Sequence, residues 1–424
     1  QGVQQAAAGG YSVDNSLRFN DDDSAYLSRT PSSAGNRKTW TWSGWVKLGN
    51  LGITRDLMST ISGDEDLIRF SSSDTLKIMF HGGTYGNLAT AQVFRDTSAW
   101  YHIIVSIDTT LSTAGNRIRL YVNGIEVTDF TSNTNPSQDY QTYINSTSTQ
   151  YLSKKSNQSK WYHDGYLAEV HFIDGQALDP TSFGETGDYG EWKPIAYAGS
   201  YGTNGFYLDF SNSGSLGTDA SSNTNNWTVN NLAATDQMLD SPTNNFCTWN
   251  PLADDNTIVY YYEGNLETKG DEVNWGGVHG TFLIPDDGKW YWEALSYKDA
   301  AGSGASNAWT GIGISTAVAI LNGNENTSGD VNLYADNGYT KGKGGYVDQG
   351  TEWSEDDVIG VAYNATAGTI AFYKNNSLIV TLSGGDVLSS DINGIVPVTH
   401  VAGSSTYNHT ITNFGQDSSF AGNK

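Results

Sequence analysis

The side chains able to do acid–base or nucleophilic chemistry are present in number but lack the spacing that such chemistry needs. Two acidic runs stand out, Asp64-Glu65-Asp66 in SGDEDLIRF and Glu355-Asp356-Asp357 in WSEDDVIG. A retaining glycosidase needs two carboxyl groups ~5 Å apart, which a strand supplies from positions i and i+2 or i+4 on one face. Both runs instead precede apolar segments in turn-like surroundings, where solvated turn acids are expected. Neither is a catalytic candidate. There is no GxSxG elbow, no HExxH zinc motif and no GxxxxGK[ST] phosphate loop. Gly342-Lys343-Gly344-Gly345 imitates the last in composition only, and Gly311-Ile312-Gly313 reads as a strand. The seven histidines show neither HxH nor HxxxH spacing, and the single Cys247 excludes an intrachain disulfide and a CxxC site. No catalytic residue is therefore assigned, and the chain is expected not to be an enzyme.

Binding chemistry is better represented. Calcium takes hard oxygen ligands, and Asp21, Asp22 and Asp23 form the densest early cluster, with Asp164 in a loop before a strand. The spacing fits no EF-hand, so no cofactor is expected, with structural calcium as the alternative. Sugars stack their CH faces on aromatic rings while amides and charged groups fix the hydroxyls. Loops with aromatics beside polar groups are HGGTYGN, with His81 and Tyr85, and KWYHD, with Trp161, Tyr162 and His163. Further on lie Trp275 in NWGG, Trp309, and Tyr334 and Tyr339 in YADNGY. An aromatic cap on the core edge is the competing role for each.

The elements that must carry these loops are strands. Only 16% of the residues are charged, and Gly, Asn, Ser and Thr interleave with Val, Ile, Tyr and Trp. At 12% aromatic residues the chain is expected to fold. Ile103, Val105 and Ile107 alternate with polar or outward positions, as do Ile118, Leu120 and Val122, and Asn123-Gly124 then predicts a type I′ hairpin turn. A looser copy lies about 250 residues on: Val358 to Tyr363, Thr369 to Tyr373, Lys374-Asn375-Asn376, then Ser377 to Thr381. Residues 211–255, rich in turn formers, predict an irregular connector tacked on by Trp227, Phe246 and Trp249. GFYLDF, ending at Phe210, predicts a strand paired with the N-terminal one around Leu17 and Phe19.

Charge narrows the partners. Against 46 Asp and Glu stand 22 Lys and Arg, a net charge of −24, which disfavours nucleic acid and anionic membrane. No run approaches the about 18 apolar residues of a membrane span. The absent initiator Met and the polar end suggest an excerpted or cleaved polypeptide.

The order of motifs resembles known families. SLRFNDDDSAYLSRTP, TWTWSGWVKL, WYHIIVSID, IRLYVNGIEV and GYLAEVHFIDGQAL are similar to the successive strands of a laminin-G-like, concanavalin A-like jelly roll. GKWYWEAL, TGIGIS, DDVIGVAYN, GTIAFYKNN and TITNFGQ resemble a SPRY domain. The expected fold is thus all-β, two antiparallel concanavalin A-like jelly-roll sandwiches in tandem. The expected organisation is an arm at 1–10, the first sandwich at 11–210, the connector at 211–255, the SPRY-like sandwich at 256–415 and a tail or cut end at 416–424. The Glu-x-Asp-x-x-Glu or Glu-x-Asp-x-Glu strand of hydrolases with this fold is missing. DSPTNNFCTWNPL resembles a segment that precedes SPRY domains in virion proteins of tailed, often marine, bacteriophages. That resemblance implies a structural or adhesive virion protein, a tail fibre, head fibre or decoration at the virion surface or otherwise extracellular. Host-surface glycan, other virion proteins and further copies of the chain are its implied partners. The alternatives are a glycan depolymerase, whose acids come from separate strands, and a bacterial extracellular adhesin.

Overall fold

The structure, a computed structural model, describes residues 10–156, 158–254, 259–270, 275–298, 310–316, 331–342, 345–388, 394–402 and 408–424. Two compact units form, one up to Asn245 and one from Phe246 onward.

The first unit opens with β1 (Ser16–Phe19), β2 (Tyr26–Arg29), β3 (Thr39–Leu48), β4 (Arg55–Ser62), β5 (Asp64–Phe70) and β6 (Thr75–Phe80). It continues with β7 (Gly86–Val93), β8 (Trp100–Asp108), β9 (Ile118–Val122), β10 (Ile125–Glu126), β11 (Phe130–Thr134), β12 (Gln150–Leu152) and β13 (Gly165–Asp174). Shorter strands follow: β14 (Gly184–Thr186), β15 (Trp192–Pro194), β16 (Phe206–Leu208), β17 (Thr228–Asn230) and β18 (Gln237–Met238). One sheet runs β10-β9-β8-β3-β13-β1-β18 with β16 also on β13, and the second runs β11-β7-β6-β5-β4-β12-β2-β17. Pairing is antiparallel throughout. The period-two side chains of both sheets meet in one core that includes Trp40, Trp42, Ile103, Val105, Phe70, Ile78 and Leu167. Each buried tryptophan removes roughly 200 Å² from water, an upper bound of about 5 kcal/mol at the usual coefficient. Asn123 and Gly124 adopt φ of 48° and 79°, the left-handed pair that a type I′ turn requires.

The outward face of the first sheet is covered as well. Trp45, Trp100, Tyr166 and Met238 form one cluster with Trp192 against it, and Ile104, Tyr121, Ile173 and Phe183 form another beside Leu178, Tyr197 and Tyr201. Chain from 178 to 201, joined by Asp240 and Asn245 over Lys47, thus makes a third layer. The outward face of the second sheet stays open, as the alternation of half-buried and buried residues along β6 shows.

Three expectations are corrected here. The stretch 211–255 is more than an irregular connector: Trp227 tacks it to the core as expected, but β17 also pairs with β2 and β18 with β1. Phe206–Leu208 pairs with β13 rather than β1, because β1 occupies that edge of β13 only along Gly165–Leu167 and leaves Val170–Phe172 for β16. Asp64, Glu65 and Asp66 lie inside β5 and not in a turn, with Asp66 fully buried.

The second unit has one sheet in the order Trp249–Asp254, Trp275–Gly280, Ile395–Ala402, Thr310–Thr316, Val331–Ala335, Tyr339–Gly342, Gly345–Asp348. Its other sheet runs Val259–Tyr262, Glu267–Gly270, Asn408–Asn413, Lys289–Lys298, Val358–Asn364, Thr369–Lys374, Ser377–Ser383. Trp249, Trp292, Ile312, Val361 and Phe372 share the core between them. Asn375 and Asn376, both with positive φ, make the tight turn that the sequence predicts. The segment 416–424 is folded: Phe420 is buried with Leu295 and Ile411, and Gln416 donates to the carbonyl of Cys247.

Candidate functional site

At one end of the first sandwich four partly exposed rings come into contact. His81 lies 4.8 Å from Tyr85 and 5.9 Å from Tyr143, and Tyr85 lies 5.4 Å from Tyr140, centroid to centroid. The guanidinium of Arg37 sits over Tyr143, and His81 Nε2 meets the exposed carboxylate of Asp64 at 3.0 Å. Tyr85 is 46% exposed. The shelf therefore offers aromatic faces, a cation and an anion around one patch, the equipment for CH stacking with hydroxyl recognition.

One buried carboxylate positions it. Asp66 accepts from the amide of His81 at 2.8 Å through one oxygen, and from the amides of Tyr143 and Ile144 through the other. Two loops distant in sequence are thereby fixed to the same strand. Burial pushes the Asp66 carboxyl up to about 6, against the pull of those three donors. The turn His81–Gly83 has positive φ at all three residues, which Gly82 and Gly83 accommodate and His81 adopts under strain. The opposite loop is held by Trp40 Nε1 donating to Thr142 Oγ1 and by Thr142 donating to the carbonyl of Arg37.

A second constellation lies on the outward face of the second sheet. The Trp161 ring has Arg69 at 4.1 Å, Lys155 at 4.0 Å and Lys160 at 4.3 Å from its centroid. Lys154 sits 4.2 Å over Tyr26 and 5.2 Å over Tyr151. Trp161 thus engages cations rather than presenting a bare ring.

Other expected ligand contacts are placed elsewhere. Tyr162 is 8% exposed and packs on Tyr26, and His163 is fully buried edge-on to Phe19. Burial, with Arg55 adding to it, holds His163 neutral by lowering it to about 3. Tyr334 is a core residue against Trp353 and Phe372, its hydroxyl donating to the carbonyl of Thr351. Tyr339 is exposed beside a sheet edge, Trp275 begins a strand, and Trp309 lies outside the described residues. Tyr140, Tyr143 and Arg37 were not singled out from the sequence, although Tyr140 and Tyr143 meet the same rule of loop aromatics beside amides.

The aspartates proposed for calcium differ in exposure. Asp22 and Asp23 are exposed, whereas Asp164 is buried and accepts from the amide of Asn50. The buried guanidinium of Arg55 feels Asp164, Asp74 and Asp21 together, so a protein cation lies among these acids. Among the described residues no group of three or more His, Cys, Asp or Glu is placed to hold a metal ion.

One buried pair imitates a nucleophile and its base. Ser43 Oγ lies 2.8 Å from His102 Nε2. Trp192 Nε1, which can only donate, points at His102 Nδ1 at 2.8 Å. The ring proton therefore sits on Nε2 and is given to Ser43, the reverse of what general-base catalysis requires. Burial lowers His102 to about 3, so it stays neutral. Beside it, Glu169 accepts from Tyr11 and Tyr207 at 2.7 and 2.5 Å. Burial raises its carboxyl, but hydrogen bonds from His171, Tyr207 and Tyr11 outweigh this and leave it below the ordinary range.

Comparison with known proteins agrees with the two sandwiches. Residues 20–182 match the family model of the concanavalin A-like lectin/glucanases superfamily, and residues 289–402 match that of the SPRY domain. The chain carries these two domains in tandem. The SPRY domain of human HERC1 is similar at 17% identity, covering 40% of this chain and 98% of that one, with a TM-score of 0.32. Stonustoxin is similar at 16% identity over 40% and 27% of the two chains, TM-score 0.30. The heptameric SAP-like pentraxin from Limulus polyphemus is similar at 14% identity over 40% and 80%, TM-score 0.29. No curated protein matches the chain. The SPRY match starts with the strand Lys289–Lys298, and the concanavalin A-like match ends before β14, so β14 to β18 lie beyond it.

Proposed function

We propose that the chain is a carbohydrate-binding protein whose first sandwich holds a saccharide on the shelf of His81, Tyr85, Tyr140 and Tyr143. The observation that supports this most directly is the contact of four rings at the sandwich end, braced from below by Asp66. In this reading binding is not followed by cleavage. Arg37 and Asp64 fix hydroxyls while the rings take the CH face. Titration of the full chain against a panel of bacterial-surface glycans tests it. A ligand should be found, and Tyr85→Ala and Tyr140→Ala should each weaken it by roughly tenfold. Equal affinity of both variants would remove the shelf from the proposal, and shortening of the glycan during incubation would replace binding by depolymerisation.

The setting we propose is the surface of a tailed-phage particle, where copies of the chain would face host glycan and neighbouring virion proteins. The resemblance of DSPTNNFCTWNPL to the segment preceding SPRY domains in such virion proteins supports it. Mass analysis of purified virions checks it, and absence of the polypeptide from particles would sink it.

A further inference from the structure

We infer that the outward face of the second sheet around Trp161 is a second binding site, one for an acidic saccharide bearing carboxylate or sulfate groups. The chain has few cations to place, 22 among 424 residues, yet five of them gather here: Arg69, Lys77, Lys154, Lys155 and Lys160. Against them stand two carboxylates, Asp56 and Glu65. Folding accounts for part of the cluster. Asp56 grips Arg69 through both oxygens at 2.6 and 2.9 Å, and Glu65 lies 3.5 Å from Lys155 and 3.7 Å from Arg69.

The remaining cations are not explained by folding. Lys77 lies directly across from Arg69 in the register of β5 and β6, a like-charge pairing that costs stability on an antiparallel sheet. Lys154 rests on Tyr26 and Tyr151, and Lys160, which is exposed, joins two other cations around one indole. Mutual repulsion among ammonium groups is relieved when an anion binds between them. Rings beneath the cations hold them spread over one surface, which suits charges spaced along a saccharide better than an isolated ion. The strongly negative chain around the patch opposes a long polyphosphate, so a saccharide with spaced charges is favoured over nucleic acid. This patch shares no residue with the shelf around Tyr85, and the two stand independently.

The full chain is passed over polygalacturonate and its methyl-esterified form, over dextran sulfate and plain dextran, and over single-stranded DNA. Retention is expected on the charged member of a pair and not on its neutral backbone, and should weaken as salt is raised. The two pairs separate carboxylate from sulfate recognition. Lys154→Ala/Lys160→Ala should lose about tenfold in affinity for the acidic polymer, while Lys193→Ala, a lysine outside both sites, leaves that affinity unchanged. Lys160→Glu, at an exposed position, keeps the test decisive should the alanine pair fold poorly. Equal retention on charged and neutral polymers, unchanged retention of the lysine variants, or retention on DNA as strong as on the acidic glycan would each overturn the inference.

Discussion

Asp66 shows how one side chain can shape a surface it never reaches. Its two oxygens take three backbone donors from two loops, so any change at either oxygen loosens the shelf before it disturbs the core. Because burial raises its folded value to about 6, above the ~3.9 of an unfolded chain, the folded state binds its proton more readily. The stability this contributes is complete below about pH 4 and is lost as pH rises through 6. The order of the two loops runs the other way, since a protonated carboxyl gives up acceptor capacity to its own O–H. Between pH 7 and 5 the amides of His81, Tyr143 and Ile144 should therefore exchange faster, after correction for intrinsic rates, while the melting temperature does not fall on account of this group. Amide exchange followed by mass spectrometry checks this, with Asp66→Asn as the variant in which the pH dependence vanishes. Asp66→Ala, which leaves all three donors unpaired, should destabilise the first unit by about 3 kcal/mol. A chemical melt of the variant measures it.

At the scale of elements, the third layer over the first sheet decides which surfaces remain for ligand. Lys47 projects from β3 into that layer, where its ammonium meets Asp240 at 2.7 Å and the side-chain oxygen of Asn245 at 2.8 Å. Lys47 and Asp240 are both fully buried, and Trp100 Nε1 donates to the other oxygen of Asp240. Asp240→Asn leaves a buried ammonium without its anion and should cost about 3–5 kcal/mol, whereas Lys47→Met with Asp240→Leu should recover most of it. Denaturant midpoints of the three variants separate a structural pair from a functional one. The strands themselves were legible in the sequence: alternation marks β8 and β9, and Asn123-Gly124 marks their turn. The third layer was not, because its strands β14 and β15 span three residues each and carry no periodicity of their own. His81 and Tyr85 were legible from their loop, but the ring contacts with Tyr140 and Tyr143 arise from packing across more than fifty positions. Asp66 was read as a turn acid because nothing local distinguishes an acid that closes two remote loops from one that faces water.

For the whole molecule, these contacts locate the boundary between the two units more finely than composition does. Asn245 belongs to the first unit, where it meets Lys47 and donates to the carbonyl of Ser98. Cys247 and Trp249 are buried in the core of the second unit, and the carbonyl of Cys247 takes the side chain of Gln416. A cut near 210, where alternation fades, would strip β17 from β2 and β18 from β1. It would also remove Trp227 from the first core and take Asp240 and Asn245 from Lys47, each a cost of several kcal/mol against a total stability of about 5–15. A polypeptide spanning residues 10–245 should therefore melt in one cooperative transition, whereas one spanning 10–210 should show no such transition and should expose Trp45 and Trp100 to quencher. Near-ultraviolet dichroism and tryptophan quenching of the two polypeptides decide it. A cooperative melt of the shorter one would mean that β17, β18 and the Lys47–Asp240 pair are dispensable to the fold of the first unit.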